Sequence, residues 1–358
     1  LGRDPRTAAL PFMATDQLTE PRGAPAEPVP QPSLDVAELP EPSDPAVLIY
    51  TSGSTGDPKG VVVQHRNLTA NTALITHKLH TGPDTPWVSW LPLFHDLGLV
   101  VVLFGALHCG APCYLMEPSR FIEKPVRWLR AISRFGAYSS GGPNFAFDMC
   151  VRKIAPAERH GLDLSSWRVA FNGAEPVRQE TLELFTKTYA PYGFRGESFY
   201  PCYGMAEATA FISGGEVTAP PISQRFDEQA LGQGRAEAAA AGQGGRVLVG
   251  CGFGAANSES DRASESEIAI VDPQTQTRCP AGQLGEVWVR GASIGPGYYN
   301  RPDDTTFSAV LGGEADRPYL RTGDLGFFYQ GELYLAGRLK DLIILHGINH
   351  YPQRSEER

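Results

Sequence analysis

Tyr50-Thr51-Ser52-Gly53-Ser54-Thr55-Gly56-Asp57-Pro58-Lys59-Gly60 is a run of small hydroxyl and glycine residues closed by one lysine. Such a loop folds tightly, turns backbone N–H groups inward, offers side-chain hydroxyls and adds one positive charge, which is the chemistry of a phosphate cradle. It is not a Walker A loop. Counted from Gly53, that pattern requires glycine where Pro58 stands and Ser or Thr after Lys59. β-Branched runs flank the loop, VLIYT at 47–51 and GVVVQ at 60–64, so the local reading is strand, loop, strand.

Outward from the loop, apolar periods alternate. A helix is expected over 124–134 before AYSSGG, and a strand over 167–173 (WRVAFNG) before a second helix in VRQETLELFTKTYA. Alternation of this kind favours a sheet covered by helices. The apolar stretch from Leu97 to Met116 is interrupted by Gly98, Gly105, His108, Gly110 and Pro112, so a buried helix followed by a buried strand is expected there rather than a membrane span. Prolines recur between Pro21 and Pro45, which reads as a surface connection. After Gly214 a Gly/Ala-rich stretch gives way to EIAIVDP, LGEVWVRG and ELYLAGR between turn residues, the pattern of a mostly antiparallel β sub-domain.

The balance of charge limits what the chain binds. Against 40 acidic residues stand 31 basic ones, a formal charge of −9, so no general basic field exists for nucleic acid or an anionic membrane and any phosphate site must be local. Only six of the 31 are lysines: Lys59, Lys78, Lys124, Lys153, Lys187 and Lys340. The six cysteines form no C-x-x-C pair and read as scattered reduced thiols. With no basic segment ahead of an apolar one at the start, a cytoplasmic location is expected.

Further blocks follow the loop in order: Ser89-Trp90-Leu91-Pro92-Leu93-Phe94-His95-Asp96, Asn172-Gly173-Ala174-Glu175-Pro176, Tyr203-Gly204-Met205-Ala206-Glu207-Ala208-Thr209, Arg321-Thr322-Gly323-Asp324 and Gly337-Arg338-Leu339-Lys340-Asp341. Together they resemble the adenylate-forming superfamily, which activates a carboxylic acid as its acyl-AMP. LPLFHDLGL, GGPNFAFDMC, FNGAEPV, PCYGMAEAT and the closing NHYPQ are similar to the fatty-acyl-AMP ligases in particular.

The resemblance implies an α/β fold: a large domain of helix-covered sheets in αβαβα layers with a distorted β-barrel-like sub-domain. Residues 1–336 would be a partial N-terminal adenylation domain, its α/β part in 1–215 and its mainly β part in 216–336. Residues 337–358 would be the hinge and the start of a C-terminal domain. Residues 222–252 stand where such ligases carry an extra segment, although their Gly/Ala composition alone suggests a linker.

It also implies ATP and Mg²⁺, a fatty-acid substrate and an acyl carrier protein or polyketide synthase as acceptor, without nucleic acid or stable membrane insertion. Thr51, Ser52, Gly53, Ser54, Thr55, Gly56 and Lys59 would hold phosphates; Asn172, Gly173, Ala174 and Glu175 would form the adenine turn; Tyr203, Gly204, Met205 and Ala206 would give the stacking face. Asp324 would bind the ribose, with Arg338 on ribose or α-phosphate and Lys340 at the hinge. Lys59, His95 and Glu207 are the catalytic candidates: Lys59 toward pyrophosphate, His95 orienting carboxylate or phosphates, Glu207 as the single carboxylate for Mg²⁺. Phe104, Phe145, Phe147, Met149 and Phe211 are apolar candidates for an acyl tunnel, with ordinary core the competing reading.

Two positions depart from the ligase pattern, Ile348 where arginine is usual and Arg354 where an acidic residue is usual, and no lysine follows Lys340. The chain therefore reads as an internal portion of a longer ligase. A fatty acyl-CoA synthetase and a non-catalytic nucleotide- or acyl-binding module are the alternatives.

Overall fold

The computed structural model describes residues 39–51, 58–240, 242–253, 266–312, 317–345 and 348–350. The architecture below belongs to the unit Glu41–Arg358. Ser52 to Gly56, most of the proline-rich stretch, and Arg354 with the end of NHYPQ lie outside the described residues.

β1 (Pro45–Thr51) and β2 (Lys59–Gln64) pair antiparallel, with Tyr50 opposite Gly60 and Thr51 opposite Lys59. Val61 and Val63 are buried completely, so the β-branched run fixes which face of β2 points inward. α1 (His65–Lys78) follows at once, its first turn closed where the Gln64 N–H donates to Asn67 Oδ1 at 3.1 Å.

The alternating segments then form a sheet: β3 (Trp87–Ser89), β4 (Cys113–Leu115), β5 (Ser139–Gly141), β6 (Val169–Asn172), β7 (Phe199–Gly204) and β8 (Phe211–Gly214), in the order β4-β3-β5-β6-β7-β8. The first five run parallel and β8 returns antiparallel. Every residue of β3, β5 and β6 is buried, as expected where helices cover both faces. α2 (Val126–Phe135) and α3 (Gln179–Tyr189) fall where the apolar periods place them. Trp128, Trp167, Phe147 and Phe185 interlock edge to face in the centre.

The stretch from Leu97 to Met116 departs from the expected buried α-helix and buried strand. Leu97–Phe104 is π-helical and continues into a short α-helix, Gly105–Cys109. The strand after it, β4, sits at the sheet edge with Tyr114 and Leu115 exposed, because an edge strand has a neighbour on one side only. Among the described residues no helix is long and apolar enough to cross a membrane.

The mainly β portion is a second sheet, antiparallel throughout. It comprises β9 (Ser223–Phe226), β10 (Arg246–Phe253), β11 (Glu267–Val271), β12 (Gly285–Arg290), β14 (Leu320–Tyr329) and β15 (Glu332–Arg338), ordered β11-β12-β14-β15-β10-β9; β13 (Gly297–Tyr298) joins β2 instead. Residues 222–252 are thus no linker: they supply β9 and β10, with Phe226 packed edge-on against Phe327 and Tyr334.

Candidate functional site

Four chain segments converge on one cavity of about 800 Å³, and each is held by specific side-chain contacts. The first brings Lys59, the opening residue of β2. Its ammonium lies 3.0 Å from Asp304 Oδ2 and 4.5 Å from the centre of the Tyr298 ring. Asp304 is itself fixed, since its Oδ1 accepts from the Thr306 N–H at 3.0 Å and so caps the turn Thr305–Phe307. Partial burial pushes the Asp304 carboxyl up, but the Thr306 and Lys59 hydrogen bonds win and hold it below the usual carboxylate range.

The second segment brings Glu207. Gly204 ends β7 where a Cβ would stand 1.8 Å from the Ala210 carbonyl oxygen, so only glycine allows the chain to fold back so closely. The buried Asn71 of α1 clamps the return: its Oδ1 accepts from the Phe211 N–H at 3.1 Å and its amide donates to the Phe211 carbonyl at 2.8 Å. Thr209 is held at φ +71° while its hydroxyl donates to the Ser293 carbonyl at 2.6 Å. Glu207 is 8% exposed, and Oε1 accepts from the Tyr298 hydroxyl at 2.7 Å. Burial first and the Glu207 charge second push the Tyr298 phenol well up, so it stays a protonated donor.

The third brings Asp324. Gly323 takes φ +70°, and the Glu286 carboxylate organises the turn: it accepts from the Gly323 N–H at 3.1 Å, from Arg321 Nη2 at 2.9 Å and Nε at 3.1 Å, and from Trp288 Nε1 at 2.9 Å. Asp324 Oδ2 accepts from the Tyr203 hydroxyl at 2.7 Å, and Oδ1 lies 3.3 Å from Nε of Arg338, its partner across β14 and β15. Burial raises the Asp324 carboxyl above its ordinary value, opposed by Tyr203 and Arg338.

The fourth is the turn before the π-helix. His95 Nδ1 lies 2.6 Å from Asp96 Oδ1, and the hydrogen bond to Asp96 raises the imidazole pKa against partial burial. Phe94 beside it is 86% exposed at the cavity wall.

Of the residues singled out in the sequence, Thr51, Lys59, His95, Ala174, Tyr203, Gly204, Met205, Ala206, Glu207, Arg338 and Lys340 line this cavity. Asp324 is not among the lining groups but touches two that are, Tyr203 and Arg338. Asn172 is fully buried with its amide turned to Asn144, and Gly173 and Glu175 do not reach the lining; Ala174 represents that turn, at φ +67°. Phe211 alone of the five tunnel candidates lines the cavity, while Phe147 belongs to the aromatic core.

Leu79, Leu97 and Val101 add further apolar lining. Tyr298, Asp304 and Glu286 were missed by sequence reasoning. Their partners lie 91, 245 and 35 residues away, and only the Asp-Thr pair at 304–305 carries a local signal, that of a helical cap.

The donor set decides which cation fits. Among the described residues no group of three or more His, Cys, Asp or Glu is gathered to hold a metal, so the cavity offers no all-protein cage. One buried carboxylate, Glu207, suits a hard cation that keeps its waters and takes its remaining oxygens from phosphates, as Mg²⁺ does.

Known proteins resemble this chain along most of its length. The family of AMP-binding enzymes matches over residues 5–299. The chain is 42% identical over 325 residues to the medium-chain-fatty-acid–[acyl-carrier-protein] ligase TtuA of Teredinibacter turnerae, covering 88% of this chain and 49% of that protein. It is 39% identical over 337 residues to the putative fatty-acid–CoA ligase FadD21 of Mycobacterium tuberculosis, covering 91% and 56%. A crystal structure of the fatty acyl-adenylate ligase from L. pneumophila, in complex with acyl adenylate and pyrophosphate, superposes with a TM-score of 0.78 at 41% identity over 84% of this chain and 52% of that one. The chain spans about half the length of the curated relatives it matches.

Proposed function

The chain belongs to the AMP-binding enzyme family, and from that premise we propose that it forms the nucleotide- and acyl-binding part of a ligase that converts a fatty acid and ATP to acyl-AMP and pyrophosphate. The observation that carries this reading is the meeting, around one cavity, of Lys59, Glu207, Tyr203 and Arg338 with the apolar side chains of Leu79, Val101 and Phe211. Phosphate-binding and hydrocarbon-binding surfaces in one space suit an amphipathic carboxylate that must meet a nucleotide.

In the reaction a carboxylate oxygen bonds to the α-phosphorus while the bond to the bridging oxygen breaks, and pyrophosphate leaves with the electron pair. The approach of two anions is the main obstacle, so positioned cations and donors supply most of the catalysis. Lys59 stands at the start of β2 to neutralise the departing phosphates, together with Thr51 and the residues that follow it. His95, held against Asp96, orients the carboxylate or the α-phosphate. Tyr203 gives adenine a flat face while its hydroxyl holds Asp324, and Asp324 with Arg338 receives the ribose. Mg²⁺, held by Glu207 and phosphate oxygens, would draw off negative charge in the transition state. Lys340, in the turn after β15, is the proposed swivel into a further domain.

The proposed acceptor is the phosphopantetheine thiol of an acyl carrier protein or polyketide synthase, in the cytoplasm. The name of the mycobacterial relative favours a second reading, with CoA as acceptor. Mass spectrometry of the protein carrying this chain, given a fatty-acid series, ATP and Mg²⁺, tests both. Acyl-AMP that persists with CoA present and is consumed by holo carrier protein supports the first reading; acyl-CoA supports the second; no acyl-AMP with any fatty acid overturns acid activation.

A further inference from the structure

Tyr298 touches both Lys59, the proposed phosphate cation, and the buried carboxylate of Glu207. β13 is only two residues long, Gly297–Tyr298, and it leaves the large antiparallel sheet to pair with β2, the strand that opens with Lys59. That pairing sets Tyr298 opposite Val61. Its hydroxyl reaches Glu207 Oε1 at 2.7 Å and its ring lies 4.5 Å beneath the Lys59 ammonium. The same lysine is held from another side by Asp304 at 3.0 Å.

These contacts have separable chemistry. The hydroxyl contact is a charge-assisted hydrogen bond to a carboxylate that is 8% exposed, so losing the donor leaves Glu207 to seek a new orientation. The ring contact is electrostatic, between a cation and the negative face of an aromatic, and needs no hydroxyl. With Oε1 engaged by tyrosine, the second oxygen of Glu207 is left for a cation. We propose that Tyr298 is a positioning residue with two functions, its hydroxyl aiming Glu207 at the metal–phosphate complex and its ring holding Lys59 where the terminal phosphates bind. The proposal rests on the acid-activation reading given above.

Removing one function at a time tests it by binding alone. Calorimetric titration would follow AMP, ATP with EDTA, and ATP with Mg²⁺ on the wild-type chain, on Tyr298→Phe and on Tyr298→Leu. In Tyr298→Phe, which keeps the ring, AMP and metal-free ATP should bind as in the wild type, while the gain in ATP affinity on adding Mg²⁺ should shrink about tenfold. In Tyr298→Leu metal-free ATP should weaken as well, by several-fold, with AMP unchanged. A merely structural role would weaken all three ligands together, and that result overturns the proposal, as does an unaltered Mg²⁺ gain in Tyr298→Phe. Should Tyr298→Leu fail to fold, Tyr298→Phe still decides the hydroxyl function, and Asp304→Asn, which frees Lys59 from its other anchor and keeps the ring, decides whether the ring suffices to hold the lysine: unchanged metal-free ATP affinity supports it and a loss overturns it. Failure of the wild-type chain to bind any of the three would instead sink the nucleotide reading itself.

Discussion

The hydroxyl of Tyr203 donates to Oδ2 of Asp324 across 2.7 Å, joining residues 121 positions apart and tying the parallel sheet to the antiparallel one. Tyr203 is 6% exposed at the end of β7 and Asp324 lies in β14. The aromatic proposed to face adenine and the carboxylate proposed to bind ribose are therefore positioned by each other, and any shift of one sheet moves both.

Tyr203→Phe keeps the ring and removes the donor. A buried hydrogen bond to a carboxylate contributes about 1.5–3 kcal/mol, and the abandoned acceptor bears the loss. The expected outcome is a fall in stability of about 2 kcal/mol in urea denaturation. AMP should bind about tenfold more weakly by calorimetry, because Asp324 loses its fixed direction. Unchanged AMP affinity would show that the pair is structural only.

Asp324→Asn should move stability and binding in opposite directions. Burial raises the Asp324 carboxyl, so its protonated form suits the fold better than its ionised form. A raised folded-state value contributes stability that is fully present below the ordinary Asp range and is lost as pH rises through the folded value. Ionising this carboxyl in the folded chain is thus a cost kept for function, and the neutral amide removes it. Thermal melts should give a higher Tm for Asp324→Asn at pH 7, the difference closing as the pH falls into the acid range, while AMP affinity drops. A lower Tm at neutral pH would refute the account.

Much of this arrangement was legible in the sequence, and the reason lies in particular residues. β6 is VAFN and β11 is EIAIV; such runs read as strands because burial on both faces leaves little room for polar residues. Lys59 stood out through its own glycine- and hydroxyl-rich loop, whereas Glu207 and Tyr203 were singled out by the family resemblance of YGMAEAT; all three line the cavity. What escaped was set by distance along the chain. Tyr298 and Asp304 acquire their partners only when β13 crosses to β2, and no local period or propensity encodes such a crossing. Residues 222–252 escaped for a different reason: the Gly/Ala-rich middle dominates their composition and hides two short flanking strands, β9 and β10, whose Phe226 and Leu248 find their partners only in the folded sheet.

The His95–Asp96 contact makes a pH prediction of definite sign. The hydrogen bond to Asp96 raises the imidazole, burial lowers it, and the Asp96 charge raises it again, with a net rise. The stability so gained is present in full below the ordinary histidine value and disappears as pH rises through the folded value. His95 is half exposed, so the effect on global stability is small. Asp96→Asn keeps a side chain able to cap the π-helix but removes the charge. Proton NMR titration of the imidazole should show the His95 pKa lowered in that variant; an unchanged or higher value would exclude Asp96 as the cause.

Glu286 is the group on which the Gly323–Asp324 turn depends. It is 2% exposed and satisfies Arg321, the Gly323 N–H and the Trp288 indole at once. Breaking a buried pair by removing one partner typically costs about 3–5 kcal/mol, since the other charge and its donors are left uncompensated. Arg321 is 34% exposed and regains some water, which places Glu286→Leu near about 3 kcal/mol in urea denaturation. Glu286→Gln keeps an acceptor for the Gly323 N–H and should lose less. If the turn is what aims Asp324, both variants should weaken AMP binding in the same order as they lose stability, even in dilute denaturant where each remains folded. Loss of stability with AMP binding intact would assign Glu286 to the sheet alone and leave Tyr203 and Arg338 to position the carboxylate.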